Sequence, residues 1–391
     1  MEYQVFKEIP DLYQEVCKTI KGFKFSNKYF DEFSGKIENT VNNQGNLLFL
    51  GSGRMETIGE IATLFGSAKG YHNIHCSSDT SYSRKASSND IAIAISGSGE
   101  TNRTLDKLRP ILETEAGIIG ITANKESTLA ELVENNGGLL IYLDGKHKDS
   151  GNESNGNYYN KQINGNSRPL TLEGTEVELK TLQFLVDYFG SKETGKTPKQ
   201  FHDSFCDELC CYTPNYEEFI SAYRLLPEVT DFEKQIYSPN KTVVVGEGLS
   251  GKSSDLFRIR LGHCAKEYQE RRVESYKTAN AIRPNDTLFV FSVSGEGLPY
   301  TYAERAKEKG ANIIAMTSKG SNLDGISDTT IQIPGRVEEK EKGDINHMQP
   351  NPEKCLPEFI SLLNGECFMY SMVGYEGLND TDLKCHHSDF I

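Results

Sequence analysis

The chain has 391 residues, of which 37% are hydrophobic and 25% are charged, and its formal net charge at pH 7 is −14. This length is enough for two domains of ordinary size, each with its own core. No apolar run approaches the ~20 residues that cross a membrane, and an acidic surface repels nucleic acids and anionic lipids. We therefore expect no membrane and no nucleic-acid partner, although backbone amides and hydroxyls can still bind a small phosphate group.

The N-terminus and the cysteines indicate a reducing compartment. The opening MEYQVFKEIPDLYQEVCKTI lacks the basic start and apolar core of a signal peptide. The nine cysteines are odd in number and irregularly spaced, which is typical of free thiols. No Cys-x-x-Cys pair stands opposite another, so the sequence indicates no metal site. We expect a cytoplasmic protein without metal or other cofactor.

The first half alternates apolar runs with amphipathic segments. Residues 1–44 show helical spacing, and the predicted elements that follow are a strand at 47–50, a helix to about 65, a strand ending at 95, a helix at 102–114, a strand at 117–121, a helix at 127–133 and a strand at 139–143. Residues 144–168 are rich in Asn, Gly and Ser and predict a surface loop. A helix is predicted at 175–189, followed by a charged, Pro-containing connection. Short apolar strands that alternate with helices predict a parallel sheet covered on both faces.

The same pattern begins again near residue 240. Gly51 and Gly246 are 195 residues apart, Ser96 and Ser292 are 196 apart, and Thr122 and Thr317 are 195 apart. Such agreement indicates an internal duplication. We predict an N-terminal helical segment (1–44), a first α/β domain (45–205), a linker or helical segment (206–239) and a second α/β domain (240–391).

Two loops at the predicted carboxyl ends of the strands carry the polar chemistry. In SGSGET, residues 96–101, glycines allow close backbone approach, the next helix offers free amides, and Ser96, Ser98 and Thr101 add hydroxyls. This combination suits a phosphate group. A simple helix cap is the alternative interpretation of one such loop, but the recurrence of the loop in both halves favours binding.

A dinucleotide site is a further alternative. Gly246-x-Gly248-x-x-Gly251 fits the dinucleotide fingerprint after a strand. However, Glu56 occupies the third glycine position in the first half, and nucleotide binding does not account for the Ser-x-Ser-Gly-Glu loop that follows later in each half. The phosphate interpretation therefore remains the favoured one.

The motifs resemble the sugar isomerase (SIS) domain, and most closely 6-phospho-3-hexuloisomerase. The matching stretches are Gly51 to Arg54, SGSGET at Ser96 to Thr101, and Thr122 to Ala130, and the resemblance covers about 45–205 and 240–391. It implies an α/β fold of two flavodoxin-like, three-layer SIS units with parallel sheets, arranged as an internal pseudo-dimer. It also implies a sugar phosphate ligand and, by analogy, a homodimer.

The resemblance implies a catalytic glutamate and histidine. Aldose–ketose isomerisation moves a proton beside a carbonyl, which suits a carboxylate, and ring opening suits a histidine that titrates near neutrality. Matching positions are Glu178 and Glu366 for the base, and His202 and His387 for the second role. The alternatives are that the glutamates only stabilise helix starts and that the histidines lie on the surface.

The implied phosphosugar-binding residues come from both halves: Gly51, Ser52, Gly53, Arg54, Ser96, Gly97, Ser98, Gly99, Thr101, Ser292 and Ser294. The second half has Leu249 at the position of Arg54 and Gly297 at that of Thr101. We therefore expect the better site at the first-half loop, with Glu178 and His387. The predicted function is a metal-free aldose–ketose isomerase of a hexulose or amino-sugar phosphate. The alternative is a phosphosugar sensor that does not turn its ligand over.

Overall fold

The computed structural model describes residues 3–79, 85–143, 175–228, 230–231, 240–264, 269–270, 272–279, 281–335 and 355–378. The chain divides into two compact units. Thr19–Cys206 makes up the main part of the first unit, and Met1–Lys18 joins Asp207–Pro350 and Lys354–Phe390 in the second. The division at Lys18 falls inside the predicted 1–44 segment, and the domain boundaries given above stay predictions.

The first unit is built on a parallel sheet whose helices cover both faces. Its elements are α1 (Ile9–Lys21, which begins in the second unit), α2 (Asn27–Asn42), β1 (Leu47–Leu50), α3 (Arg54–Ala68), β2 (Ile74–Cys76), β3 (Ile91–Ile95), α4 (Asn102–Leu112), β4 (Gly117–Thr122), α5 (Thr128–Asn135), β5 (Leu139–Tyr142), α6 (Thr175–Thr194) and α7 (Pro198–Cys211, which ends in the second unit). The strand order is β2-β1-β3-β4-β5, and all of these pairs are parallel.

The second unit repeats this sheet. A 3₁₀ turn at Gln4–Glu8 precedes α1, and the further elements are α8 (Tyr216–Arg224), β6 (Thr230–Asp231), β7 (Thr242–Gly246), α9 (Gly248–His263), β8 (Gln269–Glu270), β9 (Val273–Ser275), β10 (Thr287–Phe291), α10 (Gly297–Glu308), β11 (Asn312–Ser318), α11 (Asn322–Ile326), β12 (Thr329–Ile333) and α12 (Leu356–Glu376). The parallel order β9-β7-β10-β11-β12 matches that of the first sheet, and β6 pairs with β8 in a short antiparallel ribbon.

Burial explains why the central strands are continuous apolar runs. Every residue of β1, β3, β7 and β10 is buried, as expected for strands with helices on both faces. One face of the first sheet packs on α4 and α5 through Leu105, Leu108 and Leu129, and one face of the second packs on α10 and α11 through Ala303, Ala306 and Leu323. The predicted α/β fold with two parallel-sheet units is confirmed.

Some elements differ from the sequence prediction at their ends. The predicted helix at 127–133 begins at Thr128 because the hydroxyl of Ser127 accepts the Ala130 amide as an N-cap. The segment after α6 was expected to be a connection, but 198–211 is helical and starts with Pro198, whose fixed φ suits a first helical position. Among the described residues, no helix is long and apolar enough to cross a membrane.

Candidate active site of the first unit

The candidate site lies where β1 and β3 end side by side. Leu50 of β1 pairs with Ala94 of β3, so the loop that starts at Gly51 and the loop that starts at Ser96 leave the same edge of the sheet from neighbouring strands. In the strand order of this sheet, these two strands flank the point at which the connections change direction. Ligands of open α/β sheets bind in this position.

The first loop is a tight glycine turn. Gly51 has no room for a side chain, since a Cβ there would lie 2.7 Å from the Glu56 amide nitrogen. Gly53 has φ 58° and ψ −130° and precedes the first residue of α3, a conformation open mainly to glycine. Ser52 is partly exposed between them. The turn brings the backbone close to any ligand at this edge and directs Arg54 inward.

Arg54 and Glu178 form a nearly buried ion pair. The Nε atom of Arg54 lies 2.8 Å from Oε2 of Glu178, and their side chains are 5% and 12% exposed. Arg54 begins α3 and Glu178 lies in the first turn of α6, so the pair joins two helices that pack on each other. The structure therefore brings a predicted binding residue and the predicted base together. Removing one partner of a buried pair typically costs about 3–5 kcal/mol.

The SGSGET loop is organised by its own hydroxyls. Ser96 Oγ lies 3.0 Å from Thr101 Oγ1 and accepts the Gly99 amide at 3.1 Å, and Ser98 Oγ accepts the Glu100 amide at 3.1 Å. Thr101 precedes α4 without a side-chain capping bond. The first-turn amides of α4 are therefore not capped by this residue, and helix N-termini of this kind bind anions.

The segment between β4 and α5 holds the SGSGET loop in place. Gly99 has φ +71°, and a Cβ there would lie 2.0 Å from Ser127 Oγ. The Gly97 carbonyl accepts the Ala123 amide at 3.1 Å. Glu100 accepts the amide and the hydroxyl of Thr128 at 2.7 and 2.8 Å, so it caps α5. The phosphate-binding prediction thus falls on a loop whose shape is held by β4 and α5.

Sequence analysis missed Lys107, which lies in α4. Its Nζ atom donates to Gly51 O at 2.8 Å, to Glu56 Oε1 at 2.8 Å and to Ser77 Oγ at 3.0 Å. A lysine one residue before the buried Leu108 of an amphipathic helix was the available signal. Its partners lie in two other segments, residues 51–56 and Ser77, which are distant from Lys107 along the chain, so the sequence does not reveal the contact.

The second unit has a loop equivalent to SGSGET but lacks several of the polar and charged contacts of the first unit. The Gly295 amide donates to Ser292 Oγ at 3.1 Å, as in the first unit, but Ser294 is exposed whereas Ser98 is buried. Glu366 is buried in α12, and Leu249 is buried at the position that corresponds to Arg54. Because leucine carries no charge, Leu249 cannot form an ion pair equivalent to the Arg54–Glu178 pair of the first unit.

His202 is buried in the first unit and engaged at both ring nitrogens. Nδ1 lies 2.8 Å from Asp187 Oδ2, and Nε2 lies 3.4 Å from the Lys21 carbonyl. Burial opposes the charged imidazolium, but the hydrogen bond and charge of Asp187 raise the pKa of His202 overall. Burial raises the pKa of Asp187 to about 6 despite the histidine. These contacts are those of a structural pair, and ring opening needs a nitrogen that can reach the sugar.

Two further predictions concern His387 and metals. His387 lies outside the described residues. Within the ranges that the structure describes, no group of three or more His, Cys, Asp or Glu side chains is arranged to hold a metal ion. His75, which is followed by Cys76 and lies near Asp79, pairs with Asp79 through Nδ1 at 3.3 Å.

Comparison with solved structures shows the same fold in proteins that act on sugar phosphates. The structure matches tagatose-6-phosphate ketose/aldose isomerase from Escherichia coli with a TM-score of 0.58 and 14% identity, over 97% of this chain and 94% of that chain. It matches the C-terminal domain of glucosamine-fructose-6-phosphate aminotransferase from Francisella tularensis with a TM-score of 0.53 and 15% identity, over 95% of each chain. Identities this low establish the fold alone.

Sequence comparison identifies the family. An uncharacterized protein of Aeropyrum pernix is 26% identical over 174 residues, which are 41% of this chain and 79% of that protein. The family model of the SIS domain matches residues 41–136 and 235–346, which together exceed half of the sequence. The chain therefore belongs to the SIS domain family.

Proposed function

We propose that the first unit binds a sugar phosphate and interconverts its aldose and ketose forms. The observation that carries the proposal is the placement of the Arg54–Glu178 pair beside the SGSGET loop. Arg54 follows the β1 loop, the SGSGET loop follows the adjacent β3, and Glu178 is held by Arg54 at 2.8 Å. The loop that we propose as the phosphate anchor and the carboxylate that we propose as the base thus both belong to the edge of the sheet at which β1 and β3 end.

The phosphate group would bind the loop through amides and hydroxyls. Ser96, Ser98 and Thr101 can each donate a hydroxyl hydrogen once a phosphate displaces their mutual bonds, and the α4 N-terminus adds a favourable dipole. Gly51, Ser52, Gly53, Gly97 and Gly99 supply backbone that approaches the ligand closely. Hydrogen bonds to a charged group are the stronger kind, so the loop can anchor an anion on an acidic protein.

Glu178 would act as the base. Its carboxylate takes the proton from the carbon beside the sugar carbonyl, the resulting enediolate is reprotonated at the neighbouring carbon, and the hydroxyl proton passes to the former carbonyl oxygen. Arg54 holds the carboxylate in one orientation and balances its charge in a nearly buried place. The name of the Escherichia coli relative, a ketose/aldose isomerase of a sugar phosphate, supports this reaction class.

The remaining predicted roles stay proposals. A histidine from the C-terminal segment, His387, is our candidate for ring opening, because the contacts of His202 leave it a structural role. Glu366 with Ser292 and Ser294 would form a weaker second site or none. The expected cytoplasmic location, which rests on the N-terminus and the cysteines, and the expected homodimer, which rests on the family resemblance, are likewise proposals.

A proton-exchange assay tests the function. The protein is incubated in deuterated water with a panel of ketose and aldose phosphates, and deuterium at the carbon beside the carbonyl is followed by NMR. We expect exchange with the wild type, and a loss of at least about 10³-fold in Glu178→Gln, since the amide cannot accept the proton. Glu176→Gln is the matched control, because Glu176 lies in the same first turn of α6 and pairs with Lys180.

Two outcomes would contradict the proposal. Full activity of Glu178→Gln would show that another group is the base. If no sugar phosphate undergoes exchange but several raise the melting temperature, the protein is a phosphosugar sensor, the alternative function.

A further inference from the structure

The ammonium group of Lys107 donates all three of its hydrogens to protein oxygens. An ammonium has three hydrogens to donate, and here three oxygens accept them at 2.8 to 3.0 Å: Gly51 O, Glu56 Oε1 and Ser77 Oγ. Ser77 also donates to Glu56 Oε1 at 2.8 Å. The side chains of Lys107 and Glu56 are about one-third and one-quarter exposed. A lysine at an anion-binding edge is expected to contact the anion, but this one has no hydrogen left for it.

These bonds connect the two halves of the candidate site. Lys107 lies in α4, the helix that begins at the SGSGET loop, whereas Gly51 and Glu56 lie in the turn and first helical turn that contain Arg54. Ser77 directly follows β2, the neighbour of β1. The contacts therefore lead from the phosphate loop through α4 and Lys107 to the Gly51 turn, and from there through Arg54 to Glu178.

The second unit shows what replaces the network where the ion pair is lost. The Ser77 amide donates to the Phe49 carbonyl of β1, and the Tyr276 amide donates to the corresponding Val244 carbonyl of β7, so Ser77 and Tyr276 are equivalent. Lys107 precedes the buried Leu108 of α4 as Tyr302 precedes the buried Ala303 of α10, and in both helices the third residue after the buried one, Ile111 or Ala306, is buried as well. The helices therefore align with Lys107 at Tyr302, one residue out of step with the alignment of the loops before them.

The replaced positions contact each other as well. The ring centroids of Tyr276 and Tyr302 lie 5.4 Å apart. The equivalent residues of the first unit, Ser77 and Lys107, are likewise in contact, through a hydrogen bond. Glu56 corresponds to Gly251, which has no side chain and no room for one, since a Cβ there would lie 2.8 Å from Gly246 O. An ionic and hydroxyl network is thus present in the unit with the Arg54–Glu178 pair and absent from the equivalent positions of the other.

We infer that Lys107 is a positioning residue of the proposed isomerase, which holds the Gly51 turn, and with it Arg54 and Glu178, in register with the phosphate loop. This inference rests on the proposed function. Lys107 acts through the turn and does not contact the substrate. Misplacing a reacting group by about 1 Å can cost about 10²-fold in rate, so a tether at this place affects turnover more than binding.

Steady-state kinetics with Lys107→Met test the inference. Methionine keeps a similar length and removes every donor. We expect kcat to fall about 10- to 100-fold, with KM and the affinity for inorganic phosphate changed less than about threefold. Arg109→Met is the matched control, because Arg109 lies on the same helix, is exposed and pairs only with its helical neighbour Asp106 among the contacts of the described residues.

Glu56→Gln is the conservative variant. Its amide oxygen can still accept from Lys107 and Ser77, so we expect a decrease in kcat clearly smaller than that of Lys107→Met. A phosphate affinity that falls tenfold or more in Lys107→Met would overturn the inference, because Lys107 would then be a ligand. Unchanged kcat and KM in a folded variant would overturn it as well.

Amide hydrogen exchange tests the tether without any turnover. In Lys107→Met we expect peptides that cover residues 47–57 to exchange at least about 10-fold faster than in the wild type, and peptides from β10 and α10 to be unchanged. If the wild type turns over no sugar phosphate, the proposed function fails, while this measurement still decides whether Lys107 holds the turn. Equal exchange of residues 47–57 in both proteins would overturn the inference.

Discussion

At the scale of single residues, the Asp187–His202 pair shows how burial changes the meaning of a candidate side chain. A histidine near the end of an α/β unit matched a catalytic segment of the family, but the structure places it against Asp187 at 2.8 Å and the carbonyl of Lys21 at 3.4 Å. Gln183 donates to the other carboxylate oxygen of Asp187 at 2.7 Å. The pair therefore joins α6, α7 and the end of α1 within the first unit.

The pair predicts a pH-dependent stability. The pKa of Asp187 is raised by burial to about 6, and that of His202 is raised above 6.5 by Asp187 against the effect of its own burial. A group with a raised pKa in the folded state stabilises the fold below its unfolded pKa and loses this contribution as the pH rises through its folded pKa. We expect the free energy of unfolding to fall as the pH rises from about 4 to above 6.5.

Urea unfolding at a series of pH values checks this prediction. His202→Gln retains an amide donor for Asp187 but removes one titrating group, so its stability should decline less steeply in the upper part of that range. His72→Gln, at an exposed histidine, should follow the wild type. Identical slopes for all three proteins would show that the pair does not titrate on unfolding.

At the scale of elements, one aspartate sets the start of two strands in each unit. Asp90 accepts the amide and side chain of Asn46 at 2.7 and 2.6 Å, and the amide and hydroxyl of Ser87 at 2.7 and 2.8 Å. Asn46 precedes β1 and Asp90 precedes β3. In the second unit, Asp286 accepts the Lys241 amide at 3.0 Å. This repeated contact holds the neighbouring strands in the register that places their loops side by side.

Asp90→Asn should therefore weaken the first unit. Burial raises the pKa of Asp90, but the four hydrogen bonds lower this pKa by more than burial raises it, so the net shift is downward. A lowered pKa gives stability above the unfolded value that is lost as the pH falls through the folded value. We expect a loss of about 1.5–3 kcal/mol in unfolding free energy at neutral pH. The deficit should begin to shrink below about pH 4, where the unfolded wild type binds a proton that the folded state, with its lowered pKa, does not yet bind.

Asp106→Asn is a suitable control for this measurement, because Asp106 is an exposed residue of α4. A deficit of Asp90→Asn that stays constant from neutral to acid pH would contradict the assigned cause.

The elements also show what a sequence can predict. The central strands were identified because strands buried on both faces are uninterrupted apolar runs. The edge strands β2 and β9 were missed, since each has three residues and β9 is only partly buried throughout. Helix α7 was missed because its charges and Pro198 are also typical of a connection.

The site was only partly predictable for a related reason. Gly51, Gly53 and the SGSGET loop are local motifs, so their positions follow from the sequence. The pairing of Arg54 with Glu178 and the three contacts of Lys107 join segments that are far apart along the chain. Only the folded structure reveals such contacts.

At the scale of the whole molecule, the two units are equal in topology and unequal in chemistry. The first unit has the buried Ser98, Arg54 paired with Glu178, and Lys107. The second has the exposed Ser294 and Leu249 in the corresponding places. The net charge of −14 favours a ligand held by local donors over one attracted by a basic surface.

We therefore expect one sugar phosphate bound per chain. Isothermal titration calorimetry with a phosphosugar that gives a thermal shift should yield a stoichiometry near one. Ser98→Ala should weaken binding by about 1–3 kcal/mol, because a charged group loses a donor. Ser294→Ala is the matched control and should leave the affinity unchanged. A stoichiometry of two, or equal effects of the two substitutions, would show that both units bind.

The duplication that the sequence predicts, and that the matching strand orders support, has an evolutionary consequence. When a symmetric enzyme is assembled from separate identical chains, each mutation appears in every copy, so neither active site can degenerate alone. With both copies encoded in one gene, Leu249 can arise without any change at Arg54, and the two copies can change independently. The second copy can then accumulate features such as the Tyr276–Tyr302 contact while the first copy keeps the Arg54–Glu178 pair.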